Sequence, residues 1–287
     1  RNIIGGIEWI NSLEKDDNMP KVIEKEKSRF AGTELAGKTI GVLGLGAIGA
    51  QVANAANSLG MTVLGYDPYI SVKHAWGLSR HIIHAESIDD LTRNCHYITI
   101  HVPLMPSTEG FVNKKLLSTM KNEVVILNMS RGEIVNTNDM INALDSGKAG
   151  CYVTDFPDKT IVGHPRVIAI PHLGASTVEA EENCAVMASH QLIDFLEEGN
   201  IVNSVNFPEC QMNRTARNRL TVCHKNIPNM VGQVSTVLAH NNINIENMAN
   251  RSKGENAYTI IDYEGDITPE LSAKIQAIEG VLRTRVI

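Results

Sequence analysis

The sequence predicts two α/β domains in tandem: a doubly wound parallel sheet, then a small module of order βαββαβ. Three observations carry this. A chain of 287 residues, 43% hydrophobic, is long enough for about two cores. From Lys38 to His172, short apolar, β-branched runs alternate with helical segments, the pattern of a parallel sheet covered on both faces. After Arg219 the pattern becomes strand, helix, strand, strand, helix, strand within about 70 residues, as in a ferredoxin-like module.

Residues 1–36 are charged and helical in composition and read as a connector and linker. The first residue is Arg1 and the first methionine, Met19, lies inside this stretch, so a preceding segment is expected. Residues 37–205 form the first domain with its return helix. Its strands are expected in TIGVLGLG and at 62–67, 97–103, 124–130, 150–155 and 166–172. Ile48, Val52, Ala53 and Ala56 share one face of a helix that Gly60 ends, and Gly147 stops the helix NDMINALDSG. Ser176 and Glu179 form a capping box opening a helix to about Glu198. Residues 206–218 read as a linker and 219–287 as the small module, in which Thr268 and Pro269 start the second helix.

Composition excludes several function classes. With 26 basic and 32 acidic residues and a net charge of −6, the chain offers no basic face for nucleic acid or anionic lipid. It has no membrane-length apolar run, so a cytoplasmic protein is expected. The five cysteines, Cys95, Cys151, Cys184, Cys210 and Cys223, are odd in number and widely spaced; they read as reduced core thiols. Ten dispersed histidines without HExxH or CxxC predict no metal.

The most informative motif is Gly44-Leu-Gly46-Ala-Ile-Gly49, which follows a strand and opens a helix; Asp67 ends the next strand. Each residue has a mechanical task. Gly44 permits the tight turn, Gly46 lets a diphosphate approach the backbone, and Gly49 lets helix and strand pack closely. The helix N-terminus presents amides and a positive partial charge. Asp67 is placed to accept from the adenosine ribose, and its charge repels a 2′-phosphate, so NAD is favoured over NADP. This is the fingerprint of a Rossmann domain.

Hydride transfer on a 2-hydroxy or 2-keto acid needs a cation for the substrate oxygens and a titratable group for the hydroxyl proton. Such groups belong at the carboxyl ends of the strands. Arg131 follows the fourth apolar run and His172 the sixth. Guanidinium suits two-point carboxylate binding, and imidazole titrates near neutrality.

The runs FAGTELAGKTIGVLGLGAIG, YDPY, HVPLMPST, NMSRGEIV, PHLGAST and NSVNFP resemble, in order and spacing, the D-isomer-specific 2-hydroxyacid dehydrogenases. The resemblance implies that His172 is the acid/base and Arg131 the substrate-orienting cation. It also places Ala47, Ile48, Asp67, Pro103, Ser130 and Gly174 around NAD, beside the loop residues Gly44, Gly46 and Gly49, and Asp155 and His172 are expected to border the cofactor as well. Three departures matter. The family's substrate domain begins with a long segment ahead of the connector helix, and that half is expected to be absent here. The family pairs its histidine with a glutamate, whereas aligned without a gap this chain has Lys159 at that position and Thr154 at the family's aspartate. Asp155 and Asp158 are the substitutes one residue displaced, each with loop capping as its alternative role. The loop from Asp155 to His172 is also shorter than is usual in the family.

The tail resembles an ACT domain. That resemblance implies L-serine as an effector, hydrogen-bonded across a subunit interface by His224, Asn226 and Asn244, which the reading brings to one end of the module. Their alternative role is capping strand and helix ends. Together the two resemblances imply 3-phospho-D-glycerate as substrate; the site chemistry alone gives only a 2-hydroxy acid. Strand edges in such modules pair between subunits, so a homo-oligomer, dimer or tetramer, is expected. Two other readings stay open: a non-catalytic regulator sensing NAD and an amino acid, and a dehydrogenase for another D-2-hydroxy acid.

Overall fold

The alternating apolar runs become a seven-stranded, wholly parallel sheet in the computed structural model, which describes residues 2–287. The chain divides into two units, one ending at Leu173 and the other spanning Gly174–Ile287.

The first unit opens with α1 (Ile3–Ser12) and α2 (Met19–Glu26). Asn2 caps α1 by accepting from the Gly5 amide at 3.0 Å, and Trp9 packs on Phe30 with ring centres 5.3 Å apart. The sheet unit follows as β1 (Thr39–Leu43), α3 (Ala47–Ser58), β2 (Thr62–Tyr66), α4 (Val72–Trp76), β3 (Ile83–His84), α5 (Ile88–Asn94) and β4 (Tyr97–Ile100). It continues with α6 (Lys114–Thr119), β5 (Val124–Asn128), α7 (Thr137–Asp145), β6 (Ala149–Thr154) and β7 (Val167–Ala169). The strand order is β3-β2-β1-β4-β5-β6-β7, so the order reverses between β1 and β4. Ile98, Ile100 and Ile126 are fully buried at its centre, each contributing about 1.5–3 kcal/mol of burial. Gly60 and Gly147 end their helices at φ of 80° and 75°, as the sequence pattern predicts. β3 was not expected: it is two exposed residues long and carries no apolar periodicity.

The second unit begins with α8 (Val178–Glu198). Its N-cap is Thr177, not Ser176: Thr177 has extended backbone and accepts from the Ala180 amide at 3.1 Å. Starting one residue later still leaves Glu179 and Glu181 in the first turn, where the helix dipole favours them. The module proper is β8 (Asn218–Lys225), α9 (Met230–His240), β9 (Asn244–Lys253), β10 (Asn256–Glu264), α10 (Pro269–Gln276) and β11 (Val281–Val286). The sheet is antiparallel, ordered β11-β8-β10-β9. Leu220, Val222 and Ile261 pack with Val234, Leu238 and Ile275 of the helices on one face.

The expected linker is part of this unit's core. Ile201 and Cys210 exchange backbone hydrogen bonds of 2.9 and 3.0 Å, and with Met212 they cover Tyr258 and Ile260. Arg219 and Asp262, both fully buried, form a two-point ion pair of 2.6 and 2.9 Å, and Asp262 also accepts from the Thr215 amide at 2.7 Å. Burial pushes the Asp262 carboxyl up, but these hydrogen bonds outweigh it and hold the group below the ordinary carboxylate range. The last carbonyls of α8 are satisfied from the same sheet: Arg285 donates to Leu196 at 2.7 Å, Arg219 to Glu198 at 2.7 Å, and Tyr258 to Gly199 at 2.7 Å. The return helix, expected with the nucleotide-binding domain, therefore groups with the C-terminal sheet.

All five cysteines are free, but only Cys95 and Cys210 are buried, and Cys184 is exposed on α8, contrary to its reading as a core thiol. Burial pushes the Cys95 thiol up to about 12, which makes it inert. Among the described residues no helix is long and apolar enough to cross a membrane.

Candidate active site

Every candidate residue of the first unit falls at or beyond the carboxyl ends of its strands, because the parallel topology brings all those ends to one edge. The glycine loop lies between β1 and α3. Gly44 has φ of 88°, and a Cβ there would sit 2.7 Å from the His101 carbonyl oxygen. A Cβ on Gly49 would come within 1.9 Å of the Gly44 carbonyl oxygen. Gly46 differs: a Cβ there meets nothing within 4 Å, and its φ and ψ of −70° and −160° suit any residue. Packing accounts for Gly44 and Gly49, whereas Gly46 faces open space.

Ala47 and Ile48 form the first turn of α3, and Ile48 is exposed. The two oxygens of Asp67 accept from the Leu45 amide at 2.8 Å and the Tyr69 amide at 2.9 Å. The carboxylate is thereby tied to the glycine loop, with lone pairs left for further donors. These features fit a dinucleotide: free helix amides, an unobstructed approach and a fixed carboxylate.

Beside the loop, a cleft of about 380 Å³ is lined by His101, Val102, Pro103, Leu104, Ser130 and Arg131. Ser130 Oγ donates to the Val102 carbonyl at 2.6 Å, linking the ends of β4 and β5. Asn128, fully buried, accepts from the Ser130 amide at 3.2 Å and donates to the Arg131 carbonyl at 2.9 Å. It shapes the turn that presents both residues. Sequence reading missed Asn128, whose signal was a polar residue at the end of an apolar strand. His101 was missed too; burial lowers its imidazole pKa, and its Nε2 lies 2.9 Å from Thr99 Oγ1.

Arg131 and His172 are brought together through a residue the motifs did not single out. The Arg131 guanidinium lies 5.8 Å over the Phe156 ring, and the His172 ring meets Phe156 edge to face at 4.6 Å and 85°. Both functional groups flank one aromatic side chain. His172 itself is exposed.

Among the described residues no carboxylate hydrogen-bonds His172. Asp158 does not partner it: its oxygens accept from the Thr160 amide at 2.7 Å, the Ile161 amide at 3.2 Å and the Thr137 hydroxyl at 3.1 Å. Burial raises the Asp158 carboxyl, and these bonds outweigh it to leave the pKa low. Asp158 caps its own loop, because its short side chain is captured by the nearest amides. Asp155 is 7% exposed, and its Oδ1 is buried without a hydrogen-bond partner. Such an orphaned oxygen at the strand ends calls for a donor. Gly174 opens the second unit, exposed and with open space around it.

In the second unit His224 lies within β8, buried, with Nε2 2.9 Å from Thr259 Oγ1 and Nδ1 2.8 Å from the Lys225 carbonyl. Asn226 donates to the Gly254 carbonyl at 3.1 Å, and Asn244 donates to Glu246. The register separates them. His224 pairs with Ala257 and Asn244 with Glu264, at opposite ends of β10 and about 23 Å apart at ~3.3 Å per residue. The expectation that all three share one end fails because α9 carries the chain back along β8 before β9 begins.

Comparison with known proteins decides the family. Residues 5–174 match the family described as D-isomer specific 2-hydroxyacid dehydrogenase, NAD binding domain. The chain belongs to this family. A D-3-phosphoglycerate dehydrogenase of Haemophilus influenzae is 30% identical over 273 residues, covering 91% of this chain and 65% of that protein. The D-3-phosphoglycerate dehydrogenase of Homo sapiens is 40% identical over 189 residues, 63% of this chain and 34% of that protein. The chain thus spans less than two thirds of the length of these relatives. Among solved structures, the NAD-complexed D-isomer specific 2-hydroxyacid dehydrogenase of Lactobacillus delbrueckii ssp. bulgaricus aligns with a TM-score of 0.53 at 25% identity, over 62% of this chain and 58% of that one. As a member of this dehydrogenase family, the chain takes NAD as its cofactor, in agreement with the glycine loop and Asp67.

Proposed function

We propose that the chain is the cofactor-binding and regulatory part of a cytoplasmic, NAD-dependent D-3-phosphoglycerate dehydrogenase, interconverting 3-phospho-D-glycerate and its 2-keto acid. The observation that carries this is the convergence of Arg131 and His172 on Phe156, beside the glycine loop and the Ser130 cleft. The reading of the substrate rests on the relatives of that name.

The amides at Gly46, Ala47 and Ile48 would hold the diphosphate, and Asp67 would accept from the ribose. Pro103, Ser130 and Asp155 would border the rest of the cofactor, with the buried, unpartnered Asp155 Oδ1 free to accept from a donor there. When bound, NAD supplies a carbon that accepts or returns hydride at the substrate C2. Arg131 grips the substrate carboxylate and polarises the C2 oxygen. His172 removes the hydroxyl proton as the alcohol is oxidised and returns it in reduction. With Asp158 spent on its loop, the histidine works without a hydrogen-bonded carboxylate.

L-serine is the proposed effector. Because Asn244 lies far from His224 and Asn226 in one chain, an effector touching all three needs a second copy. β9 is an edge strand ten residues long, available for such pairing, so a homo-oligomer belongs to this reading.

The missing carboxylate partner favours a second reading, a non-catalytic regulator that senses NAD and an amino acid. One assay separates them. The full protein with NAD and 3-phosphoglycerate produces NADH, slowed by serine, if the enzyme reading holds. NAD binding without NADH from any 2-hydroxy acid would favour the regulator, and turnover of lactate alone would identify a dehydrogenase for another D-hydroxy acid.

A further inference from the structure

The acid/base group of the reading above is exposed and lacks a carboxylate partner, yet it must present its imidazole at a defined angle. Among the described residues, Phe156 is placed to do this for His172. Phe156 meets it edge to face at 4.6 Å and lies under the Arg131 guanidinium at 5.8 Å. Phe156 is itself held. Its amide donates to Thr154 Oγ1 at 3.1 Å, and its Cβ closes on Gly132, where an added Cβ would stand 3.3 Å away. Asn128 fixes the other side by bonding the Arg131 carbonyl at 2.9 Å. The charged groups nearest in sequence do not compete: Asp158 is spent on its loop, Asp155 makes no bond to His172, and Lys159 is exposed.

We propose that Phe156 is the positioning residue for both His172 and Arg131, doing by ring contact what a hydrogen-bonded carboxylate would do for a paired histidine. This rests on the dehydrogenase reading for the roles of the two residues. An aromatic edge or face restricts the tilt of the imidazole without taking its proton, so both ring nitrogens stay available for the substrate hydroxyl. The ring also attracts the guanidinium, so one side chain sets the spacing between the group that holds the substrate and the group that exchanges its proton.

The test uses the full chain labelled with ¹³C-histidine, with the His172 signals assigned by their loss in His172→Gln. The Cε1–H and Cδ2–H resonances of His172 are expected to be displaced from those of exposed histidines by the Phe156 ring current. The displacement should vanish in Phe156→Leu and persist in Phe156→Tyr. Unchanged His172 resonances in Phe156→Leu would overturn the proposal. Should Phe156→Leu not fold, the unmodified protein decides: His172 signals coincident with those of exposed histidines would refute the contact. In turnover, Phe156→Leu should lower kcat and raise the substrate KM, together about tenfold or more in kcat/KM, with NAD affinity little changed. Absence of turnover in the unmodified protein would sink the dehydrogenase reading, while the resonance positions would still decide the role of Phe156.

Discussion

Gly46→Ala and Gly49→Ala separate the work of the fold from the work of the ligand. At Gly46 the backbone is extended and a Cβ meets nothing within 4 Å, so alanine introduces no strain. Restricting the unfolded chain should leave stability unchanged or raised by about 0.4–1 kcal/mol. The methyl group would then occupy the space through which, on the proposed reading, a diphosphate reaches the helix amides. Losing one charge-assisted hydrogen bond there costs about 1.5–3 kcal/mol, or roughly 10- to 150-fold in NAD affinity. At Gly49 the added Cβ would lie 1.9 Å from the Gly44 oxygen and 3.2 Å from the His101 Cβ. The helix must move off the strand by over ~1 Å, which costs about 1–3 kcal/mol or more of stability and misplaces the amides as well. Thermal unfolding paired with NAD titration calorimetry reads both quantities. Gly46→Ala should change only the calorimetry and Gly49→Ala should change both. NAD affinity unaltered in Gly46→Ala would refute the placement of the diphosphate at this loop.

His172→Ala should lower kcat by a factor of about 10² to 10⁴ while NAD binding survives, and an unchanged rate would remove the acid/base assignment. Asp262→Asn strands the buried Arg219 charge and should destabilise the second unit by about 3–5 kcal/mol in urea unfolding. Since the folded pKa of Asp262 is depressed, its contribution is fully present above the ordinary aspartate value near ~3.9 and disappears as pH falls through the lower folded value. The acid-side loss of stability should therefore be shallower in Asp262→Asn than in the unmodified chain. Asn244→Ala should abolish inhibition by serine and spare turnover, as initial rates with and without serine would show; retained inhibition would exclude Asn244 from the effector site.

Much of the fold was readable because it depends on local patterns. The parallel strands, the glycine stops at Gly60 and Gly147, and the start of α10 at Thr268 all follow from residues close together in the chain. Errors arose where neighbours compete or contacts are remote. Ser176 and Thr177 are both fit caps, and the position of the first turn chose between them. The linker looked polar because its few anchors, Phe207, Cys210 and Met212, are spread among polar residues and find their partners on a sheet formed later in the chain.

The candidate site divides along the same line. The glycine loop, Asp67, Arg131 and His172 are legible in sequence, since each must stand next to a strand end and strand ends in a parallel sheet share one edge. Whether a given carboxylate reaches His172 is a question of a few ångströms. There the nearest amides captured Asp158, and folding brought Phe156 against both the imidazole and the guanidinium. Sequence spacing specifies which edge a residue occupies, because backbone periodicity is local. Side-chain partners, like the far separation of Asn244 from His224, are settled by register and packing among segments that meet only in the folded chain.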